Sequence, residues 1–160
     1  MAPLAPSVTP DSMASMLRDA EARMLFVDAQ GRAVLPPATP DAPVLVALDD
    51  DGPAPRWNGW LAPEGATPQP VAVAPGHPFN IIYSSGTTGM PKGIVQSHGM
   101  RWAHIVRGLA QGYGPESVTL LATPLYSNTT LVSFLPNLCA GGSVRLMPKF
   151  DALRYLQIAQ

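Results

Sequence analysis

Short segments with a strand pattern recur along the chain and alternate with helical patterns, and this alternation constrains the fold more than any other feature. The strand segments are residues 24–27, 44–48, 79–83, 92–96, 118–122 and 144–147. The first two are continuously apolar and end in polar or acidic residues, as buried strands of a parallel sheet do. Strands that alternate with helices predict an α/β fold with parallel strands and flanking helices.

Capping residues predict where the helices begin. Thr9 precedes Pro10 at the start of an amphipathic pattern, and Ser97 precedes a second one. A third helix is expected over residues 129–139, ended by a glycine pair, and a fourth opens at Asp151. On the second helix one apolar face is expected, formed by Trp102, Ile105, Val106 and Leu109.

Residues 49–78 form a long Pro/Gly-rich connection with little periodicity. One short strand is expected at residues 71–73. Trp57 and Trp60 lie within this connection, and we expect them to pin it onto the core rather than to stack on a ligand.

Length and charge narrow the class of protein. A chain of 160 residues can bury one core of ordinary domain size. Its net charge is −1, with no run of basic residues, so a nucleic-acid partner is not expected. The start lacks the pattern of a secretion signal, and the most apolar stretch, residues 131–144, falls short of the ~20 residues that span a bilayer. No transmembrane segment is therefore expected. The missing signal pattern and the single cysteine, Cys139, predict a cytoplasmic protein.

The stretch that carries chemistry is YSSGTTGMPKG, residues 83–93. Binding a triphosphate requires backbone N–H groups that approach closely, hydroxyl donors and a cation. Gly86 and Gly89 supply the first, and Lys92 supplies the cation. The hydroxyl donors are Ser84, Ser85, Thr87 and Thr88. The spacing of the glycines and the lysine differs from that of the P-loop and from that of the dinucleotide fingerprint. Because strands lie on both sides, the stretch is predicted to be a loop that closes over ATP.

This stretch resembles the phosphate-loop signature of the adenylate-forming superfamily, which includes acyl-CoA synthetases, firefly luciferases and the adenylation domains of peptide synthetases. The resemblance extends to TPDSMASMLRDAEARMLFVD at residues 9–28, to PLYSNTTL at 124–131 and to AGGSVRLMPKF at 140–150. Residues 1–160 are therefore expected to be a partial AMP-binding domain, specifically a fragment of the N-terminal domain of an acyl-CoA synthetase. The ending at Gln160, inside a helical pattern, also favours a fragment.

The resemblance implies specific roles. Lys92 and Thr88 would be the catalytic residues, because they would stabilise charge as pyrophosphate leaves. ATP would be bound by Ser84, Ser85, Gly86, Thr87, Thr88, Gly89, Lys92 and Gly93, and the acid by Tyr126, Ser127 and Asn128. The co-substrates would be ATP with Mg²⁺, a small carboxylic acid and coenzyme A, as in fatty acid metabolism. No residue is assigned as a metal ligand, because neither His77 nor His104 has a partner at ligand spacing.

The acid itself is only partly constrained. Ser127 stands where many relatives have a histidine, and residues 118–148 contain no acidic side chain that could neutralise a substrate ammonium. A plain carboxylic acid is therefore favoured over an amino acid. The alternatives are an adenylation domain for amino or aryl acids and a non-catalytic nucleotide-binding remnant. Segments that bind adenine and ribose in the family are absent, so activity of these 160 residues alone is not expected, and the oligomeric state stays open.

Overall fold

The computed structural model of the chain describes residues 1–49, 51, 55–84 and 91–160. The elements in chain order are α1 (Pro10–Asp19), β1 (Met24–Val27), α2 (Ala29–Arg32), β2 (Val44–Ala47), α3 (Trp57–Trp60), β3 (Pro78–Ser84), β4 (Lys92–Ser97), α4 (His98–Ala110), β5 (Val118–Leu121), α5 (Asn128–Cys139), β6 (Ser143–Leu146) and α6 (Ala152–Ala159). Within the described residues β1 pairs with β2, β3 with β4 and β5 with β6. The β1–β2 and β5–β6 pairs are parallel, so the predicted α/β class with parallel strands and flanking helices is confirmed.

The chain divides into two compact units. The first contains Met1–Pro3, Val73–Ile82 and Ile94–Gln160. The second contains Leu4–Ala72 and Tyr83–Gly93.

In the second unit, α1 begins where the capping pattern predicts. The Thr9 hydroxyl accepts from the backbone N–H of Ser12 at 3.3 Å, and Pro10 occupies the first turn, where a missing N–H costs nothing. Met13 and Met16 are buried, as the amphipathic spacing predicts. The β1 and β2 segments form strands as predicted, but the expectation that both are buried is wrong: Val27, Val46 and Ala47 are covered, whereas Met24, Phe26 and Val44 are exposed. In a two-stranded pair successive side chains point to opposite faces, and here one face is only partly covered.

The tryptophans of the long connection pack on β1. The ring of Phe26 meets Trp57 edge to face at 5.8 Å and Trp60 at 4.9 Å, while the two indoles stack on each other at 5.7 Å. The tryptophans therefore tie the connection to β1, but the expectation that they pin it onto the core is not met, because Phe26, Trp57 and Trp60 are all exposed. The expected strand at residues 71–73 is wrong, because this segment is exposed and pairs with no strand among the described residues.

In the first unit, α5 packs against β5, β6 and α4. The helices α4 and α5 approach closely at Gly108, where a side chain would collide with Pro136. The glycine stop predicted after α5 is confirmed, and α4 is also followed by a glycine. Gly112 and Gly141 follow α4 and α5 with φ of +100° and +80°, a region that glycine adopts without steric cost.

The predicted apolar face of α4 is not the face that is buried. Ile105 is buried, but Trp102 is 61% exposed, and Val106 and Leu109 are exposed as well. The side buried instead contains Arg101, Ile105 and Gly108, which share one face at helical spacing. Gly108 decides the outcome, because only a residue without a side chain lets α5 approach so closely, and this orients the helix around it.

None of the described helices is both long enough and apolar enough to cross a lipid bilayer.

Candidate active site

The phosphate-loop stretch begins at the end of one strand and finishes at the start of another. Ser84 is the last residue of β3, Lys92 is the first of β4, and Gly93 follows it; all three are exposed. The prediction that strands flank the stretch is confirmed. The remaining candidates, Ser85, Gly86, Thr87, Thr88 and Gly89, lie outside the described residues, so their predicted contacts with ATP stay a prediction.

Tyr83, the first residue of this stretch, is anchored to α1. Its hydroxyl group lies 2.6 Å from Oδ2 of Asp19 and 3.0 Å from the carbonyl oxygen of Met16. Desolvation and the neighbouring Asp19 carboxylate raise the pKa of the Tyr83 hydroxyl well above its usual value of 10. At neutral pH the group is therefore a hydroxyl donor, and its proton is already committed to these two acceptors within the second unit.

The candidate acid-pocket residues lie on a turn that leads into α5. The hydroxyls of Thr123 and Thr130 hydrogen bond to each other at 2.6 Å across this turn, and the Ser127 N–H donates to the carbonyl of Pro124 at 3.0 Å. Tyr126 is half-buried in the turn, and Ser127 is the N-cap of α5 although its side chain makes no capping bond. The hydroxyl of Ser127 is thus not used to cap the helix.

Asn128, the first residue of α5, is joined to a buried arginine that sequence reasoning missed. Arg101 on α4 is only 2% exposed. Its Nη1 donates to Oδ1 of Asn128 at 3.0 Å, and its Nε donates to Oδ1 of Asn80 on β3 at 2.9 Å. The only signal in the sequence was the helical spacing that puts Arg101 on the same face as Ile105 and Gly108. The more apolar face of α4 obscured that signal.

The two histidines of α4 lie among aromatic and cationic side chains of the protein. His98 is the first residue of α4, and its ring meets Phe79 edge to face at 5.0 Å. His104 is half-buried, and burial together with the nearby Arg101 and Arg107 lowers the pKa of its imidazole. The imidazole is therefore neutral at pH 7.

A cavity of about 670 Å³ lies in the second unit, among α1, β1, β2 and the segment 35–43. Its lining is mostly apolar, with Arg18, Glu21 and Asp41 as the charged members. None of the residues predicted to bind ATP or the acid lines it.

The described ranges contain no group of three or more His, Cys, Asp or Glu side chains placed to hold a metal ion. Magnesium prefers several oxygen ligands and is commonly held by one or two carboxylates together with substrate phosphates. The protein groups described here do not fit a preformed magnesium cage.

Comparison with known proteins identifies the family. The sequence model for the AMP-binding enzyme family matches residues 1–159. The chain is 36% identical to 4-coumarate–CoA ligase 2 of Oryza sativa subsp. japonica over 129 residues, which are 69% of this chain and 21% of that ligase. It is 31% identical to phosphinothricin tripeptide synthetase PhsB of Streptomyces viridochromogenes over 145 residues, which are 90% of this chain and 12% of that synthetase.

A solved structure shows the same fold. The luciferase-like enzyme from the nonluminescent Zophobas morio mealworm superposes with a TM-score of 0.78 over 98% of this chain and 38% of that enzyme, at 20% identity. The chain thus spans about a fifth or less of the curated relatives named above. The match along nearly every residue confirms the resemblance to adenylate-forming enzymes, and the chain belongs to the AMP-binding enzyme family.

Proposed function

We propose that the protein activates a carboxylic acid with ATP, forming an acyl-adenylate and pyrophosphate, and then transfers the acyl group to coenzyme A. The observation that carries this proposal is the stretch 83–93, which lies between two strands in a chain that matches the AMP-binding family over residues 1–159. The 36% identity to a CoA ligase favours coenzyme A as the acyl acceptor.

In the first step a carboxylate oxygen of the acid attacks the α-phosphorus of ATP, and the bond between this phosphorus and the bridging oxygen breaks. Negative charge then accumulates on the departing pyrophosphate. Lys92, exposed at the start of β4, supplies a cation near this charge, and the Ser and Thr hydroxyls of the stretch supply donors. In the second step the sulfur of coenzyme A attacks the acyl carbon, AMP leaves, and the thiol proton is released.

Magnesium would accompany ATP in this reaction. Because the described residues offer no carboxylate cluster, the ion would be held by the triphosphate oxygens and by water. It would neutralise phosphate charge there, and no step is assigned to a protein-bound metal.

The surroundings of Asn128 support an acid without an α-amino group. The turn before α5 offers hydroxyls and an amide, and this amide is hydrogen bonded to the Arg101 guanidinium. An ammonium placed beside this cation would be repelled, whereas a carboxylate would be attracted. The positive end of the α5 dipole acts in the same direction.

One finding favours a second function. The tripeptide synthetase PhsB matches 90% of this chain, more than the rice CoA ligase does. An adenylation domain that activates an amino acid would use the same loop chemistry and would differ in its acid pocket and acyl acceptor.

Acid-dependent exchange of labelled pyrophosphate into ATP by the full-length gene product separates these functions. A panel of fatty, aryl and amino acids is assayed, followed by trapping of the acyl group with coenzyme A. We expect exchange with carboxylic acids that lack an α-amino group, and thioester formation with the same acids. Exchange with an amino acid alone would establish the second function, and no exchange with any acid would refute both.

A further inference from the structure

Arg101 is a buried cation, and its partners among the described residues are all neutral. Its side chain is 2% exposed, yet none of the described acidic side chains forms an ion pair with it. The guanidinium instead donates to the amide oxygens of Asn80 and Asn128, and Nη2 is buried with no partner among the described residues. Burial lowers the pKa of this guanidinium, which nevertheless stays protonated.

Burying a cation without an ionic partner costs free energy of folding. Removing a charge from water costs several kcal/mol unless a close partner compensates, and an apolar side chain at the same place is often neutral or better for stability. Packing of α4 by itself therefore does not require an arginine at this position. The two directed bonds supply geometry that an apolar side chain cannot supply.

The hydrogen-bonding chemistry fixes the orientation of the Asn128 amide. Arginine has donors and no acceptor, so it is the oxygen of Asn128 that must face Nη1. The other end of the amide, Nδ2, is then directed away from the guanidinium as a donor. In the part of the chain that the structure describes, Nδ2 donates no hydrogen bond.

We propose that Arg101 is a positioning residue for the acid substrate: by bridging Asn80 and Asn128 it holds the first turn of α5 and presents the Asn128 Nδ2 group to the carboxylate of the acid. This inference rests on the proposed function. It also goes further than that function, because it assigns recognition of the acid to the Asn128 amide, whose orientation is fixed by Arg101. Arg101 itself does not touch the acid, since its remaining nitrogen is buried.

Two substitutions separate presentation of the donor from simple bracing of the helix. Arg101→Met removes both hydrogen bonds while keeping an unbranched apolar stem. Asn128→Asp keeps an oxygen for Arg101, and even pairs its charge, but replaces the Nδ2 donor by an acceptor that repels a carboxylate. The matched control is Arg107→Met on the same helix, at an exposed position.

The experiment measures acid-dependent ATP–pyrophosphate exchange and thermal unfolding on the full-length gene product. For both Arg101→Met and Asn128→Asp we expect the KM for the acid to rise about tenfold or more, because a hydrogen bond to a charged group is lost, while the KM for ATP stays within about twofold. Asn128→Asp should unfold at or above the wild-type temperature. Arg101→Lys, which keeps the charge and can reach one of the two amide oxygens, should restore part of the affinity for the acid.

The side-chain amide resonances of asparagine, observed with ¹⁵N-asparagine labelling, give a second readout that does not depend on turnover. The Asn128 pair is assigned by its loss in Asn128→Asp, and it should shift in Arg101→Met but not in Arg107→Met. An unchanged KM for the acid in Asn128→Asp, or an unshifted amide pair in Arg101→Met, would overturn the inference. A wild-type protein without exchange would refute the proposed function instead, and the amide resonances would still decide whether Arg101 orients Asn128.

Discussion

The hydroxyl group of Tyr83 lies 2.6 Å from Oδ2 of Asp19, so the first residue of the phosphate-loop stretch is tied to the end of α1. The same hydroxyl is 3.0 Å from the carbonyl oxygen of Met16. A side chain whose proton is already shared between two protein acceptors is an anchor. Tyr83 therefore fixes where the stretch starts, and contacts with phosphate are left to the residues that follow.

Replacing Tyr83 by Phe removes this anchor without changing the ring. A hydrogen bond to a charged group contributes ~1.5–3 kcal/mol, and because Asp19 is exposed we expect a loss of about 1 kcal/mol in the free energy of unfolding. Urea unfolding measures this loss, with Tyr155→Phe as the control, because the Tyr155 hydroxyl makes no hydrogen bond among the described residues. Equal stability of the two variants would contradict the anchoring role.

The contribution of Tyr83 should also depend on pH. Its pKa in the folded protein is raised above the unfolded value of 10, so its stabilising contribution is fully present below pH 10 and is lost as the pH rises through the folded pKa. The difference in unfolding free energy between wild type and Tyr83→Phe should be constant from about pH 7 to about pH 9 and should shrink above about pH 10. A difference that grows above pH 10 would contradict the predicted direction of this pH dependence.

Gly108→Ala should destabilise the contact between α4 and α5. The added methyl group would collide with Pro136 and press on the ring of Tyr113. Alanine favours a helix by ~0.5–1 kcal/mol relative to glycine, but overpacking costs ~1–3 kcal/mol, so we expect a net loss of about 1–2 kcal/mol in thermal or urea unfolding. Gly59→Ala on α3 is the control, because its new methyl group would meet no atom within 4 Å. An unchanged melting temperature for Gly108→Ala would disprove the close approach.

Lys92→Ala should reduce acid-dependent ATP–pyrophosphate exchange more than it reduces affinity for the acid. The lost contact is to phosphate oxygens, and a charge-assisted contact worth ~1.5–3 kcal/mol corresponds to roughly ten- to a hundred-fold in rate. Thr88→Ala should act in the same direction, and Lys92→Arg should retain part of the rate. Exchange at the wild-type rate in both alanine variants would contradict the prediction that residues 83–93 bind ATP.

Residues 1–160 expressed alone should not form acyl-adenylate. Relatives of this chain are several times longer, and ATP held only by its phosphates would bind weakly and without selectivity. The helix α4 also exposes Trp102, Val106 and Leu109, which favours poor solubility of the isolated piece. Acyl-hydroxamate formation with ATP, magnesium and a broad acid panel is the measurement, together with thermal unfolding. Acid-dependent product from a cooperatively unfolding protein would contradict this prediction.

The sequence determined the local structure of this protein. Thr9, Ser97 and Asp151 cap helices where the pattern predicts, because a side-chain oxygen next to free N–H groups is a purely local interaction. The glycines after α4 and α5 end those helices for an equally local reason, which is their access to positive φ. The sequence also indicated the chemistry of residues 83–93, because phosphate binding requires a particular set of residue types within a short stretch.

Only the tertiary structure decided which side of each element is buried and which polar groups meet. The apolar side of α4 predicted from periodicity is exposed, since Gly108 allows α5 to approach on a different side. That choice buries Arg101, and its partners Asn80 and Asn128 lie 21 and 27 residues away in the chain. Tyr83 and Asp19 are separated by 64 residues. Periodicity reports on neighbours within a turn or two of the same element, whereas contacts at such separations depend on how whole elements pack.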